Sequence, residues 1–279
     1  MKKGILISVL LLFTLSSIGQ RLVYPGQNQI HRHFEDPSFI SINDLYNMSG
    51  IVQASDSDIA QTSQYVAAQL AFFKKIAFGI EHSKHSYHKF RYSQLLFSGR
   101  LKFGNESHYF SMGGSIGPEK YNETNILSDN TIGTIYRAGA HYTNFNFTLG
   151  GFLNRLPVQN DLMNPLLNQL TTYDGYTGYL SYKFNLNDNF SISPMVKYNM
   201  YSDTNSDIDS DLTFFEGVTN FNYKGDYELA VSYKNEYSIN GALSAKVFKY
   251  IKLNYSYETA IGDLMFEDVH SIGVSFDLT

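Results

Sequence analysis

The chain has no cysteine, no tryptophan and only 6 prolines in 279 residues. Without cysteine there are no disulfides and no thiolate metal sites. Without tryptophan, any aromatic girdle at a membrane boundary must be built from tyrosine and phenylalanine. Basic side chains number 21 against 26 acidic ones, a balance that argues against nucleic acid as a partner. After the first residues no apolar run reaches the roughly 18 residues that mark a spanning helix. The bulk of the chain is therefore not a helical membrane protein. What is plentiful is 22 tyrosines, 21 phenylalanines and 21 glycines. That mixture suits a β-barrel, in which a polar interior dilutes an apolar outer face.

The start of the chain reads as an export signal. Met1-Lys2-Lys3 is a short basic segment, residues 4–15 are apolar, and Ser17-Ile18-Gly19 supplies small residues ahead of a cleavage point. Residues 1–19 are expected to be a secretory signal peptide, with Gln20 first in the exported chain and no cysteine after it to carry a lipid. Loss of Lys2 and Lys3 leaves 19 basic against 26 acidic side chains, a formal charge of −7. Residues 20–47 lack sustained alternation. They are expected to be an irregular segment, either periplasmic or tucked into a barrel as a partial plug.

From residue 48 onward the dominant signal is a period of two. Ile251, Leu253, Tyr255 and Tyr257 alternate with Lys252, Asn254, Ser256 and Glu258. Near the end Ile272, Val274, Phe276 and Leu278 alternate with Ser271, Gly273, Ser275 and Asp277. This is the pattern of strands with one apolar and one polar face. Taken along the chain it predicts strands over 48–55, 64–72, 76–83, 90–103, 108–117, 131–143, 145–154, 173–184, 189–200, 212–223, 226–235, 238–249, 250–258 and 268–278. Pro194 lies within one of them and there weakens the strand or marks a bulge.

Most of these strands have the roughly 9–11 residues that a tilted strand needs to cross a bilayer. Soluble strands average about five or six. Links after even-numbered strands are short and most of the others are longer, the asymmetry of short periplasmic turns and longer outside loops. An unpaired edge in lipid costs several kcal/mol per group, so the sheet must close. The fold expected is an all-β, antiparallel outer-membrane β-barrel of about 14 strands over 48–279, with both termini periplasmic. On residues 226–235, Tyr227, Leu229, Val231 and Tyr233 would face lipid, while Asp226, Glu228, Ser232 and Lys234 would face the lumen.

The ending Leu253-Asn254-Tyr255-Ser256-Tyr257-Glu258, followed by Val269-His270-Ser271-Ile272-Gly273-Val274-Ser275-Phe276, resembles the PorP/SprF family of outer-membrane proteins. Phe147-Thr148-Leu149-Gly150-Gly151 with Leu156-Pro157 is similar to that family's mid-barrel strand and loop. Where the family carries an Asn-Pro-Ala-rich segment, this chain has Glu35-Asp36-Pro37-Ser38. The resemblance implies a non-enzymatic barrel of the Bacteroidetes type IX secretion and gliding machinery. Its partners would be type IX components or a large secreted adhesin held at the cell surface. The loops expected to meet such a partner are 118–130, 155–172 and 201–211. Ser271, Gly273, Phe276 and Leu278 also resemble the C-terminal insertion signal read by the barrel-assembly machinery; an ordinary final strand would carry the same residues.

Candidates for chemistry are few, and no cofactor is expected. His82, His85 and His88 could gather around a metal in a loop; otherwise they belong to a polar loop. Asp203, Asn205, Asp207, Asp209 and Asp211 resemble a calcium loop. Ile208 stands where an EF-hand needs glycine and Phe214 where it needs glutamate, so only weak divalent binding is open to them. His82 with Ser83, or His141 with a neighbour, could be nominated as a nucleophile and base. No phosphate loop, zinc signature or serine elbow accompanies them, and an enzyme is not expected. The alternative to the anchoring role is a porin or channel for small solutes. Fourteen strands leave interior space unless residues 20–47 fill it, and an acidic interior would favour cations.

Overall fold

The computed structural model describes residues 36–39, 46–55, 61–72, 74–87, 90–123, 130–159, 170–203, 212–235, 237–261 and 268–278. Its strands are β1 Tyr46–Ser55, β2 Gln61–Phe72, β3 Ile76–Tyr87, β4 Phe90–Gly104, β5 His108–Glu123, β6 Asn130–Asn144 and β7 Phe147–Gln159. There follow β8 Leu170–Tyr182, β9 Phe190–Asp203, β10 Leu212–Tyr223, β11 Tyr227–Lys234, β12 Ser238–Phe248, β13 Ile251–Ala260 and β14 Val269–Leu278. Each pairs antiparallel with its sequence neighbours, and β1 pairs with β14 from Tyr46↔Leu278 to Ser55↔Val269. The result is a closed 14-strand antiparallel β-barrel with no free edge.

Alternation sets the two faces. On β11 Tyr227, Leu229, Val231 and Tyr233 are exposed on the outside, while Ala230 and Ser232 are buried inside. The same parity runs through β6, where Tyr136 and Tyr142 point out and Arg137 and His141 point in. A shift of one residue would exchange the two sets and put charge into lipid, so register is tightly constrained. At the short-turn end the outward Tyr142, Tyr182, Phe184, Tyr223 and Tyr227 are exposed, and Tyr182 and Phe184 lie 4.6 Å apart between ring centroids. Tyrosine and phenylalanine thus build the girdle at that boundary.

The short turns carry their own determinants. Lys74, Phe145 and Lys224 adopt φ of 54°, 48° and 55°, and Gly225 follows at 72°. Positive φ at such positions matches the right-handed twist of tight hairpins. Asn105 Oδ1 accepts from the amides of Ser107 and His108, and Asn187 Oδ1 from those of Asn189 and Phe190.

Several strands outrun their expected ends on the side of the longer links. β3 continues to Tyr87, leaving only 88–89 before β4, and β5 continues through Pro118 to Glu123. β7 reaches Gln159, β8 begins at Leu170 and β9 ends at Asp203. The expected loops 118–130, 155–172 and 201–211 therefore shrink to 124–129, 160–169 and 204–211, which lie outside the described residues. β5 holds 16 residues and β11 only 8, so the wall is taller on one flank than on the other.

Pro194 makes no bulge. β9 pairs with β8 from Asp203 down to Met195, lapses, and resumes at Ile192↔Phe184 and Ser191↔Asn185 in the same register. A missing N–H explains the lapse. Pro118 sits at a similar gap between Gln94↔Glu119 and Phe97↔Ile116.

Candidate functional site in the barrel interior

Polar side chains line much of the inner wall, between apolar patches such as Phe152, Met195 and Val218. Serines recur on it, among them Ser49, Ser63, Ser115, Ser244, Ser256 and Ser275, all buried. Small hydroxyl side chains leave room inside a barrel and stay compatible with water. Ser83 Oγ, Ser115 Oγ, Ser244 Oγ, Asn154 Oδ1 and Asn254 Oδ1 are buried with no protein partner. Buried groups of this kind are characteristically satisfied by water.

Several charges on the inner wall come in opposed pairs. Arg137 on β6 reaches Glu81 on β3 at 2.7 Å, with the two side chains 3% and 7% exposed. Lys197 on β9 lies 3.4 Å from Glu216 on β10, and Lys234 on β11 lies 2.7 Å from Glu258 on β13. Ser238 Oγ also donates to Glu258. Lower down, Lys252 lies 2.9 Å from Glu228. These residue types sit inside because the lipid face would charge about 2–4 kcal/mol for each Lys or Arg at mid-bilayer.

Part of the N-terminal segment lies in the same interior. Pro37–Phe39 forms a single 3-10 turn against β4, β5 and β6, close to the short-turn end. The Ser38 amide donates to Asp36 Oδ1 at 2.8 Å, and Tyr179 Oη donates to Asp36 Oδ2 at 2.9 Å. Ser38 Oγ is 2.8 Å from His141 Nδ1. Ser111 Oγ donates to the Ser38 carbonyl at 3.1 Å and receives Arg100 Nε at 2.6 Å. Phe39 stacks on the His141 ring at 4.3 Å and packs against the cluster Phe152, Tyr179, Met195 and Val218. Gly113 and Gly139 have no room for a side chain: a Cβ there would collide with the Pro37 carbonyl and the Asp36 carboxylate. Burial raises the Asp36 pKa, opposed by the hydrogen bonds from Ser38 and Tyr179 and by the Arg100 charge.

The nominated residues scatter. His82 is exposed on the outer face with Nδ1 3.0 Å from the Gln94 carbonyl oxygen, whereas His85 is buried inside with Nδ1 2.9 Å from Ser63 Oγ. Strand alternation sends them to opposite sides of the wall, so they do not share a metal; His88 lies outside the described residues. Ser83 points inward and its neighbour His82 outward, so they form no dyad. Ser38 and His141 do meet, but both are buried at 0% and 1% exposure, closed to a substrate. Of the calcium-like run, Asp203 ends β9, and Asn205, Asp207, Asp209 and Asp211 lie outside the described residues. Ser271 and Gly273 face inward, Phe276 faces outward, and Leu278 pairs with Tyr46 in the closing seam.

A closed antiparallel barrel with an apolar outside and a charged, hydroxyl-rich inside is an outer-membrane β-barrel. No protein-family model matches this chain, and no curated protein matches it in sequence. Among solved structures it is similar to the toluene transporter TbuX of Ralstonia pickettii. The TM-score is 0.54 at 10% identity, covering 88% of this chain and 92% of that one. It is also similar to the monoaromatic hydrocarbon channel CymD, with a TM-score of 0.57 at 8% identity, covering 95% of each chain. Acinetobacter baumannii Omp33 gives a TM-score of 0.53 at 10% identity, covering 85% of this chain and 99% of that one. At such identities the likeness shows the fold.

Proposed function

We propose that this chain is a non-enzymatic outer-membrane channel for small polar solutes. The carrying observation is the set of paired charges inside the closed wall: Arg137 with Glu81, Lys197 with Glu216, and Lys234 with Glu258. A solute that passes them exchanges water for hydroxyl, amide and ionic contacts, which suits sugars and small ions and not hydrocarbons. Pairing of the charges cancels most of the field, so ion selectivity should be weak, in contrast to the cation preference that net composition suggests. The Asp36–Phe39 turn narrows the path near the short-turn end.

The test is single-channel conductance in a planar bilayer, run on the exported chain and on a chain lacking residues 20–39. Both should conduct, the second more strongly, with similar permeability for potassium and chloride. Silence from both would sink the channel reading.

The carrier reading rests on a different observation, the likeness of β13 and β14 to the PorP/SprF ending. On it, the barrel supports secretion or surface anchoring of a large adhesin-type protein through type IX components, with insertion handled by the barrel-assembly machinery. A tag placed after Gln20 and a pull-down in mild detergent separates the two. Companions in near-equal amounts favour the carrier; a barrel that comes out alone favours the channel.

A further inference from the structure

At the end of the longer links the outer face of β3–β5 carries a cluster of cations. Lys84, Arg91 and Lys120 point outward there and are exposed. Register brings them together: Lys84 lies opposite Ser93, Ser93 lies opposite Lys120, and Arg91 is two residues further along β4. Among the described residues none of the three has an ion-pair partner, and the outward face of β2–β6 carries no carboxylate. Three unpaired cations on one patch attract anions, and an arginine beside lysines is suited to a phosphate.

Their height is informative. Lys120 stands ten residues along β5 from Phe110, which lies opposite the girdle residue Tyr142. A strand needs about 9–11 residues to cross the hydrocarbon core. The cations therefore lie at the outer boundary, at the level of lipid headgroups. Directly below them Ile80, Phe97 and Ile116 are 43%, 54% and 59% exposed to the bilayer. Below these the outer wall is hollowed into an apolar groove of about 900 Å³. Gly99, Gly114, Ala138, Gly151 and Gly178 form its floor, and Phe78, Leu101 and Met112 wall its β3–β5 end. A Cβ on Gly99 or Gly178 would meet nothing, so the groove is open towards lipid.

We propose that the outer face of β3–β5 is a binding site for a phosphorylated glycolipid of the outer leaflet. Lys84, Arg91 and Lys120 take its phosphate. Its acyl chains run down over Ile80, Phe97 and Ile116 and into the groove at Gly99 and Gly114. The occupant is a lipid and not a soluble anion because head site and acyl path are continuous on the same three strands. The proposal rests on the outer-membrane orientation with short turns periplasmic, and is independent of whether the lumen conducts.

The test uses the folded full-length exported barrel in detergent, with bis-phosphorylated lipid A as probe and native mass spectrometry as readout. The wild type should retain lipid A through activation that strips phosphatidylethanolamine. The triple variant Lys84→Gln, Arg91→Gln, Lys120→Gln should lose about tenfold in retention. Lys74→Gln with Lys75→Gln, at the opposite rim, should not. Inorganic phosphate should not displace the lipid. Equal retention by the triple variant, equal loss by the rim control, or displacement by free phosphate would each overturn the proposal. A parallel measurement needs no variant: wild-type barrel should bind dephosphorylated lipid A about tenfold more weakly. Equal binding of the two lipids would overturn the proposal as well.

Discussion

At the residue scale, the interior is held by groups that are costly to separate. Arg137 and Glu81 come from strands three apart, and both side chains are almost wholly buried. Removing Arg137 leaves the Glu81 carboxylate buried without its ion-pair partner, at a cost of about 3–5 kcal/mol. Arg137→Met is expected to destabilise the barrel by that order in urea unfolding from lipid vesicles, and Arg137→Met with Glu81→Met by clearly less. Equal costs for the single and double variants would show that the pair is not coupled. Asp36 gives a pH-dependent counterpart. Its raised pKa means that docking favours the protonated acid, so the contribution is full at low pH and is lost as pH rises through the raised value. Arg100, Tyr109, His141 and Tyr179 surround the docked turn from β4, β5, β6 and β8. Conductance should fall as pH falls towards the ordinary carboxylate range. Asp36→Asn should hold the low-conductance level at every pH, and Gly139→Val, which collides with Asp36, should hold the high one. A wild-type conductance that rises on acidification would contradict this.

At the element scale, period-two alternation located every strand, and for Leu212–Tyr223 both ends fell on the expected residues. The misplaced ends share a cause. Beyond the bilayer the outer face of a strand meets water, so outward polar residues no longer signal a stop and the ladder simply continues. That is why β3 runs through Lys84 and Ser86, and why Pro118 lies within β5. Pro194 could be read as an irregularity, but sequence alone could not separate a bulge from a skipped hydrogen bond. β14 carries an element-scale prediction. Phe276 faces lipid in the strand that closes the seam, so Phe276→Ala should slow assembly into vesicles containing the barrel-assembly machinery by several-fold while leaving spontaneous folding in detergent nearly unchanged. An equal slowing of both would mean that Phe276 serves packing and not recognition.

At the scale of the whole molecule, closure was legible because strand count, link asymmetry and the cost of an edge in lipid all point the same way. The site was less so. Nothing in the local pattern of residues 36–39 announces that they would meet His141 and Tyr179, more than a hundred positions away. The one trace is negative: Gly113 and Gly139 stand at inward positions where a side chain would ordinarily help to fill the barrel. The histidines misled because spacing in a strand distributes neighbours between two faces, and only the parity of each strand, fixed by its outer apolar residues, says which face is which.

The unequal height of the wall has a consequence for traffic. At about 3.3 Å of rise per residue, the eight extra residues of β5 over β11 amount to roughly 26 Å along the strand direction. Among the described residues the rim is then a slanted collar, high over β4–β9 and low at β11. On the proposed channel reading, a solute is expected to come in from the side across the low sill at β11, with the tall flank behind it acting as a backstop.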